Sequence, residues 1–272
     1  MDINSILNGV ECACGKTHHC DIEYVHIEAG AIARLEKLCD WKLSSEINGE
    51  YFCKYIYDTT YDMIKNTLGT AKGLLVRDLK SIKALMEGLI VVGIMMSFAG
   101  SSRPASGSEH HLSHFFEIVG IVDGEPYLAH GIDVAYSTVI TADIREKVVK
   151  SAFPNELYRE SKTEYAENMK KIYKTVAEGC MTLQDEVGNY NVDRLDIYKA
   201  KEQKIKEILS EMPSSERIKD MLVMAEFDMA EFYATYSEEK IQNAISYAKD
   251  LKDRYTVLWL YYDLFGGRMN EA

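Results

Sequence analysis

Apolar residues recur every three or four positions along most of this chain. Tyr165, Met169, Ile172 and Val176 follow that rhythm, and so do Ile241, Ile245, Ala248, Leu251 and Tyr255. Such spacing lines one face of a helix. Ser237 ahead of Glu238 and Glu239 predicts a helix start, Gly266 a helix stop, and Pro213 with Ser-Ser-Glu behind it another loop-to-helix junction. The charge-rich stretch YKAKEQKIKEILSE predicts a solvated helix that turns Ile205, Ile208 and Leu209 inward. The longest apolar run, GLIVVGIMMSFAG at residues 88–100, falls short of the ~20 residues a membrane span needs. It reads as a helix buried on all sides. Only DIEYVHIEAG, residues 21–30, alternates in the manner of a strand, and AIARLEKL behind it reads as a short helix. One strand cannot complete a sheet. The pattern therefore predicts a mainly α fold, a helical bundle with a short strand–helix remnant at the N-terminus.

Composition narrows the function. The chain has 272 residues, 47% of them hydrophobic, enough for a substantial core. Its net charge of −12 repels phosphate backbones, so no nucleic-acid partner is expected, and no membrane partner either. The start MDINSILNGV has neither a basic lead nor a long apolar run. A cytoplasmic protein with reduced thiols is the expectation. Cys12, Cys14 and Cys20 lie near His18 and His19, but the C-x-C spacing and the lack of a second half-site read as a solvated extension. Cys39, Cys53 and Cys180 read as small apolar fillers, and Tyr51, Tyr55, Tyr57 and Tyr61 as residues of a helix facing the core or an interface.

The chemistry concentrates in SGSEHHLSHFFE, residues 106–117, which holds three of the seven histidines. Ser106 and Glu109 match a capping box, predicting a helix that begins near Gly107. His110 and His114 then share one face, while His111 points elsewhere. Two imidazoles at that spacing suit a divalent metal but leave positions open. His130, in YLAHGID, is the candidate to join them from afar. The loop GSSRPASGS ahead of the helix places Ser102 and Arg103 beside a helix N-terminus, where an anion is favoured.

The segment GSSRPASGSEHHLSHFFE resembles the glycerol-1-phosphate dehydrogenase family, within the iron-dependent alcohol dehydrogenase and dehydroquinate synthase superfamily. CACGKTHHCDIEYVHIEAGAIARL, DWKLSSEINGEYFC, LAHG and KDLKDRYTVLWLYYDLF resemble other parts of that family, so the likeness runs through nearly the whole chain. The resemblance implies reduction of dihydroxyacetone phosphate to sn-glycerol 1-phosphate with NADH or NADPH, a divalent metal (zinc, nickel or iron) polarising the carbonyl. It implies His110 and His130 as metal ligands and His114 as the residue that positions substrate or relays a proton. Ser102 and Arg103 are the candidates for the substrate phosphate.

The chain also departs from the family. Only EKLC separates IEAGAIARL from DWKLS, where the family carries an α/β domain of roughly 100–150 residues. No glycine-rich dinucleotide loop occurs in the sequence. The implied organisation is a remnant of the nucleotide-binding domain at 1–38 and an all-helical metal- and substrate-binding domain at 39–272. The family's acidic ligand would fall about ten residues before Asp40 and Trp41, where this chain has Ala29 and Gly30. Glu28 and Asp133 are the carboxylates considered in its place. Tyr136 is bulky where relatives have a small residue. The expectation is a chain that alone is a poor or inactive dehydrogenase. The alternatives are a non-catalytic helical body that forms a homodimer or binds metal or anion weakly, and a relative of dehydroquinate synthase.

Overall fold

The computed structural model describes residues 10–15, 17–18 and 34–268. The expected strand at 21–30 and the first part of the helix behind it lie outside these residues. So do Cys20, Glu28, Ala29 and Gly30. The described residues form a helical bundle, as the pattern predicts. A two-residue antiparallel ladder stands ahead of it, pairing β1 (Val10–Glu11) with β2 (Thr17–His18).

The bundle opens with α1 (Arg34–Asn48), which runs unbroken across the boundary expected at 38/39. Next come α2 (Lys54–Leu68), α3 (Ala71–Leu75) and α4 (Leu79–Ala99). The two helices that matter most for function, α5 (Ser108–Asp123) and α6 (His130–Lys150), pack along each other. After them follow α7 (Lys162–Tyr173), α8 (Ala177–Val187), α9 (Leu195–Ser210), α10 (Ser215–Met224), α11 (Met229–Thr235), α12 (Glu238–Tyr247) and α13 (Val257–Phe265). Trp41, Phe115, Phe116, Val139, Ile144, Trp259 and Leu260 belong to one buried cluster.

Several local expectations hold. Ser237 and Ser214 cap α12 and α10 by accepting the N–H of Lys240 and Arg217, and Gly266 follows the last residue of α13. Ile205, Ile208 and Leu209 are buried on α9. Others fail for physical reasons. Helix α7 ends at Tyr173, and Val176 is exposed in the 3-10 turn behind it. The run 88–100 is only the second half of α4, and that half lies against α2 without being buried on every side. With 21 residues α4 as a whole is long and apolar enough to cross a membrane by length and composition, a test that a core helix also passes, while the run 88–100 within it stays short of a span. Tyr136 fits where a small residue was expected, because its hydroxyl donates to Glu231 at 2.7 Å and its ring packs against Phe227 and Phe232.

The capping box at Ser106 does not form. Gly107 is the N-cap of α5, and the cap comes from α1. The buried Asp40 carboxylate accepts the Ser108 N–H at 2.6 Å and the Ser108 hydroxyl at 2.5 Å, and its other oxygen accepts the Val257 N–H at 2.7 Å. One side chain thus caps both α5 and α13. A Cβ at Gly107 would stand 2.8 Å from the Lys37 Cα, so this approach requires glycine. Burial pushes the Asp40 carboxyl up to about 6, while the Ser108 and Val257 bonds pull it back. Asp40→Ala strands two buried N–H groups, and each costs roughly 1–3 kcal/mol. The expected loss is about 2–4 kcal/mol in urea unfolding; a loss below about 1 kcal/mol would contradict this capping role.

Candidate metal centre

Helix α5 carries His110, His114 and Glu117 at i, i+4 and i+7, one above another on the same face. His130 is the first residue of α6, and the packing of α6 on α5 brings it to that face. The ring centres of His114 and His130 are 4.9 Å apart, and that of His110 is 5.2 Å from His130. Glu117 lies between the two closest rings, its Oε2 3.6 Å from His114 Nδ1 and 3.8 Å from His130 Nδ1. His114, Glu117 and His130 each offer a donor atom within 4.8 Å of the others. Donors at about 2.1 Å around a tetrahedral ion stand about 3.4 Å apart. The two Glu117 separations, 3.6 and 3.8 Å, are already close to that spacing, and no pair of donors has to draw in by more than about 1.4 Å to close on an ion. Two imidazoles and a carboxylate suit zinc, nickel or iron.

The surroundings favour a neutral His114 and fixed rings. Burial, with Lys252 and the other two histidines adding to it, pushes His114 down to about 3, so it is deprotonated at neutral pH. His110 Nδ1 lies 3.1 Å from Glu109 Oε1, and His130 Nδ1 lies 3.1 Å from the Ser113 hydroxyl. Such outer contacts orient a ligating ring. Glu109 is fully buried, which pushes its carboxyl upward, and Lys37, 3.7 Å away, opposes that. His130 and Glu117 remain 28% and 37% exposed, so the cluster is open to a substrate.

His111 points elsewhere, as expected: it is fully buried, and burial drives its pKa well down. Asp133 takes no part in the cluster. Tyr236 donates to both its oxygens, at 2.8 and 2.9 Å, and burial raises it to about 7. Among the described residues the carboxylate that joins His114 and His130 is Glu117, which the sequence reading passed over although it sits three residues after His114.

Arg103 is buried and engaged. Its guanidinium donates to both oxygens of Glu50, through Nε at 2.6 Å and through Nη2, which also donates to the Tyr255 carbonyl at 3.0 Å. Its Nη1 and the Nη1 of Arg254 have no hydrogen-bond partner among the described residues. Both arginines line a cleft of about 370 Å³ with Ser101, Asn48 and Glu50. Ser102 is half-buried beside it.

Helix-borne histidines meeting a carboxylate at the contact of two packed helices define a helical domain with a candidate metal centre. Known proteins narrow that class. No family model matches the chain. A glycerol-1-phosphate dehydrogenase (NAD(P)+) of Bacillus licheniformis is 24% identical over 243 residues, 89% of this chain and 50% of the relative. One of Geobacillus stearothermophilus is 26% identical over 234 residues, 86% and 51%. One of Saccharolobus solfataricus is 36% identical over 128 residues, 45% and 38%. The chain is thus similar over most of its length to glycerol-1-phosphate dehydrogenases, and it spans about half the length of the curated relatives it matches.

Proposed function

We propose that this chain provides the metal- and substrate-binding half of a glycerol-1-phosphate dehydrogenase-type reaction, the NAD(P)H-linked reduction of dihydroxyacetone phosphate to sn-glycerol 1-phosphate. The observation that supports it is the convergence of His114, Glu117 and His130, flanked by His110, within segments that resemble that family. A bound zinc, nickel or iron ion supplies a Lewis acid for the substrate carbonyl. In this reading His130, His114 and Glu117 hold the ion. His110, implied by the resemblance as a ligand, stands beside them with its ring set by Glu109. His114 therefore moves from proton relay to ligand. The free Nη1 groups of Arg103 and Arg254 supply donors for a phosphate, with Ser102 alongside. Glu50 offsets much of the Arg103 charge, so phosphate binding is weak. The sequence offers no glycine-rich loop for a dinucleotide, so the chain alone turns over poorly. The reading places it in the cytoplasm as a homodimer, associating through the exposed Leu75, Val76, Leu79 and Ile82.

The test follows NADH and NADPH oxidation with dihydroxyacetone phosphate and added zinc, nickel or ferrous iron. Metal-dependent binding of the substrate without measurable turnover is expected, the binding being lost in His130→Ala. Measurable turnover would contradict the inactivity. Absence of metal-dependent substrate binding would overturn the assignment. Light scattering on the same samples reads the oligomer, and a monomer at high concentration removes the homodimer from this reading.

A further inference from the structure

Away from the histidines, a second group of donors gathers where the N-terminal ladder meets the body. Cys12 opens a tight turn and Cys14 lies within it; the Gly15 N–H donates to the Cys12 carbonyl at 3.0 Å, with Gly15 at φ +80°. Cys53 comes from 41 residues further along, as the N-cap of α2. The Cys12 and Cys53 sulfurs are 3.4 Å apart, and one donor from each of Cys12, Cys14 and Cys53 lies within 4.8 Å of the others. The Cys14 sulfur is 3.5 Å from the Tyr51 hydroxyl. Cys53 is therefore more than an apolar filler, and the C-x-C pair has its complement from α2 rather than from a second half-site in sequence.

We propose that Cys12, Cys14 and Cys53 bind one thiophilic divalent cation, zinc above all, as a clip between the N-terminal hairpin and the helical body. Zinc–sulfur bonds of about 2.3 Å put tetrahedral sulfurs about 3.8 Å apart, close to the spacing here. Burial pushes the Cys53 thiol up to about 11 while the Ile56 N–H at the helix start pulls it back, so the thiolate requires the cation's charge beside it. The two-pair ladder of Val10–Glu11 and Thr17–His18 is too short to hold itself. Tying the turn between the two strands to the start of α2 through metal supplies what the ladder lacks. On binding, the three thiols release three protons to solvent and three metal–sulfur bonds form, leaving one position of the tetrahedron for a further donor. This site is independent of the histidine cluster and does not rest on the proposed reaction. A Cys12–Cys53 disulfide is the competing outcome, and it would leave Cys14 outside.

Cobalt(II) titration of the full chain, kept reduced by a phosphine under argon, tests the site. One equivalent is expected to raise a thiolate-to-cobalt charge-transfer band in the near ultraviolet, which zinc then bleaches. The band is expected to vanish in the Cys12→Ser, Cys14→Ser double variant and to persist in His130→Ala. The two serines lie outside the helical body, and unchanged circular dichroism confirms that the variant folds. No thiolate band in the reduced chain overturns the proposal, and so does a band that survives the double variant. A Cys12–Cys53 disulfide found in chain purified anaerobically, in place of bound metal, overturns it as well.

Discussion

Lys249→Met is expected to lower the stability of the chain by about 3–5 kcal/mol, the loss that follows when one partner of a buried ion pair is removed. Lys249 and Asp250 are both fully buried, with Nζ 2.7 Å from the Asp250 Oδ2 and 2.7 Å from the Tyr190 hydroxyl. Nζ also sits 3.8 Å from the ring centre of Tyr262 and 4.8 Å from that of Trp259, so aromatic faces surround the cation. The Tyr190 hydroxyl donates to Asp250 at 2.8 Å, and the Asp250 carbonyl accepts from Gln184. Methionine fills the volume but leaves the carboxylate without its counter-charge. The paired change Lys249→Met, Asp250→Leu should recover much of the loss, since a hydrophobic replacement of a whole buried pair is often neutral. Urea unfolding of the three variants reads this directly. A single variant within about 1 kcal/mol of the parent would show that the pair is not coupled as described.

His130→Ala is expected to weaken divalent-ion binding at the histidine cluster by about a hundredfold or more, because outer partners alone are worth roughly 10–100-fold. Glu117→Gln should follow closely, since it replaces the charged donor between the two closest rings. Glu109→Gln, which within the histidine cluster touches His110 alone, should cost about tenfold or less. The order of these effects separates the donors from the residues that orient them. Equal losses for Glu109 and Glu117 would place His110, rather than His114, at the centre of the site.

The helical rhythm was legible where an apolar stripe faces the core, as in α9, whereas the stripe read from Ile241 to Tyr255 leaves the α-helix after Tyr247 and passes into a 3-10 turn. The ends of helices were harder to read, because caps come from afar: Asp40 on α1 caps α5, and no local pattern around Ser106 announces it. Three histidines were legible as one site from spacing and resemblance. Glu117 was equally readable at i+3 from His114, but attention fell on carboxylates upstream and on Asp133, which Tyr236 holds away from the cluster. The thiol group was not legible, because Cys53 joins Cys12 and Cys14 only through the packing of α2. The same holds for Arg103, whose apparent freedom in a serine-rich loop ends at Glu50, 53 residues away in the chain.

The most direct measurement is calorimetric titration of nickel into the chain carrying Cys12→Ser and Cys14→Ser, which removes the thiol group and leaves the histidine cluster as the candidate site among the described residues. One ion per chain is predicted, with binding lost on adding His130→Ala or Glu117→Gln. An isotherm that shows no binding, or binding that both substitutions leave unchanged, would contradict the assignment of His114, Glu117 and His130 as the metal centre.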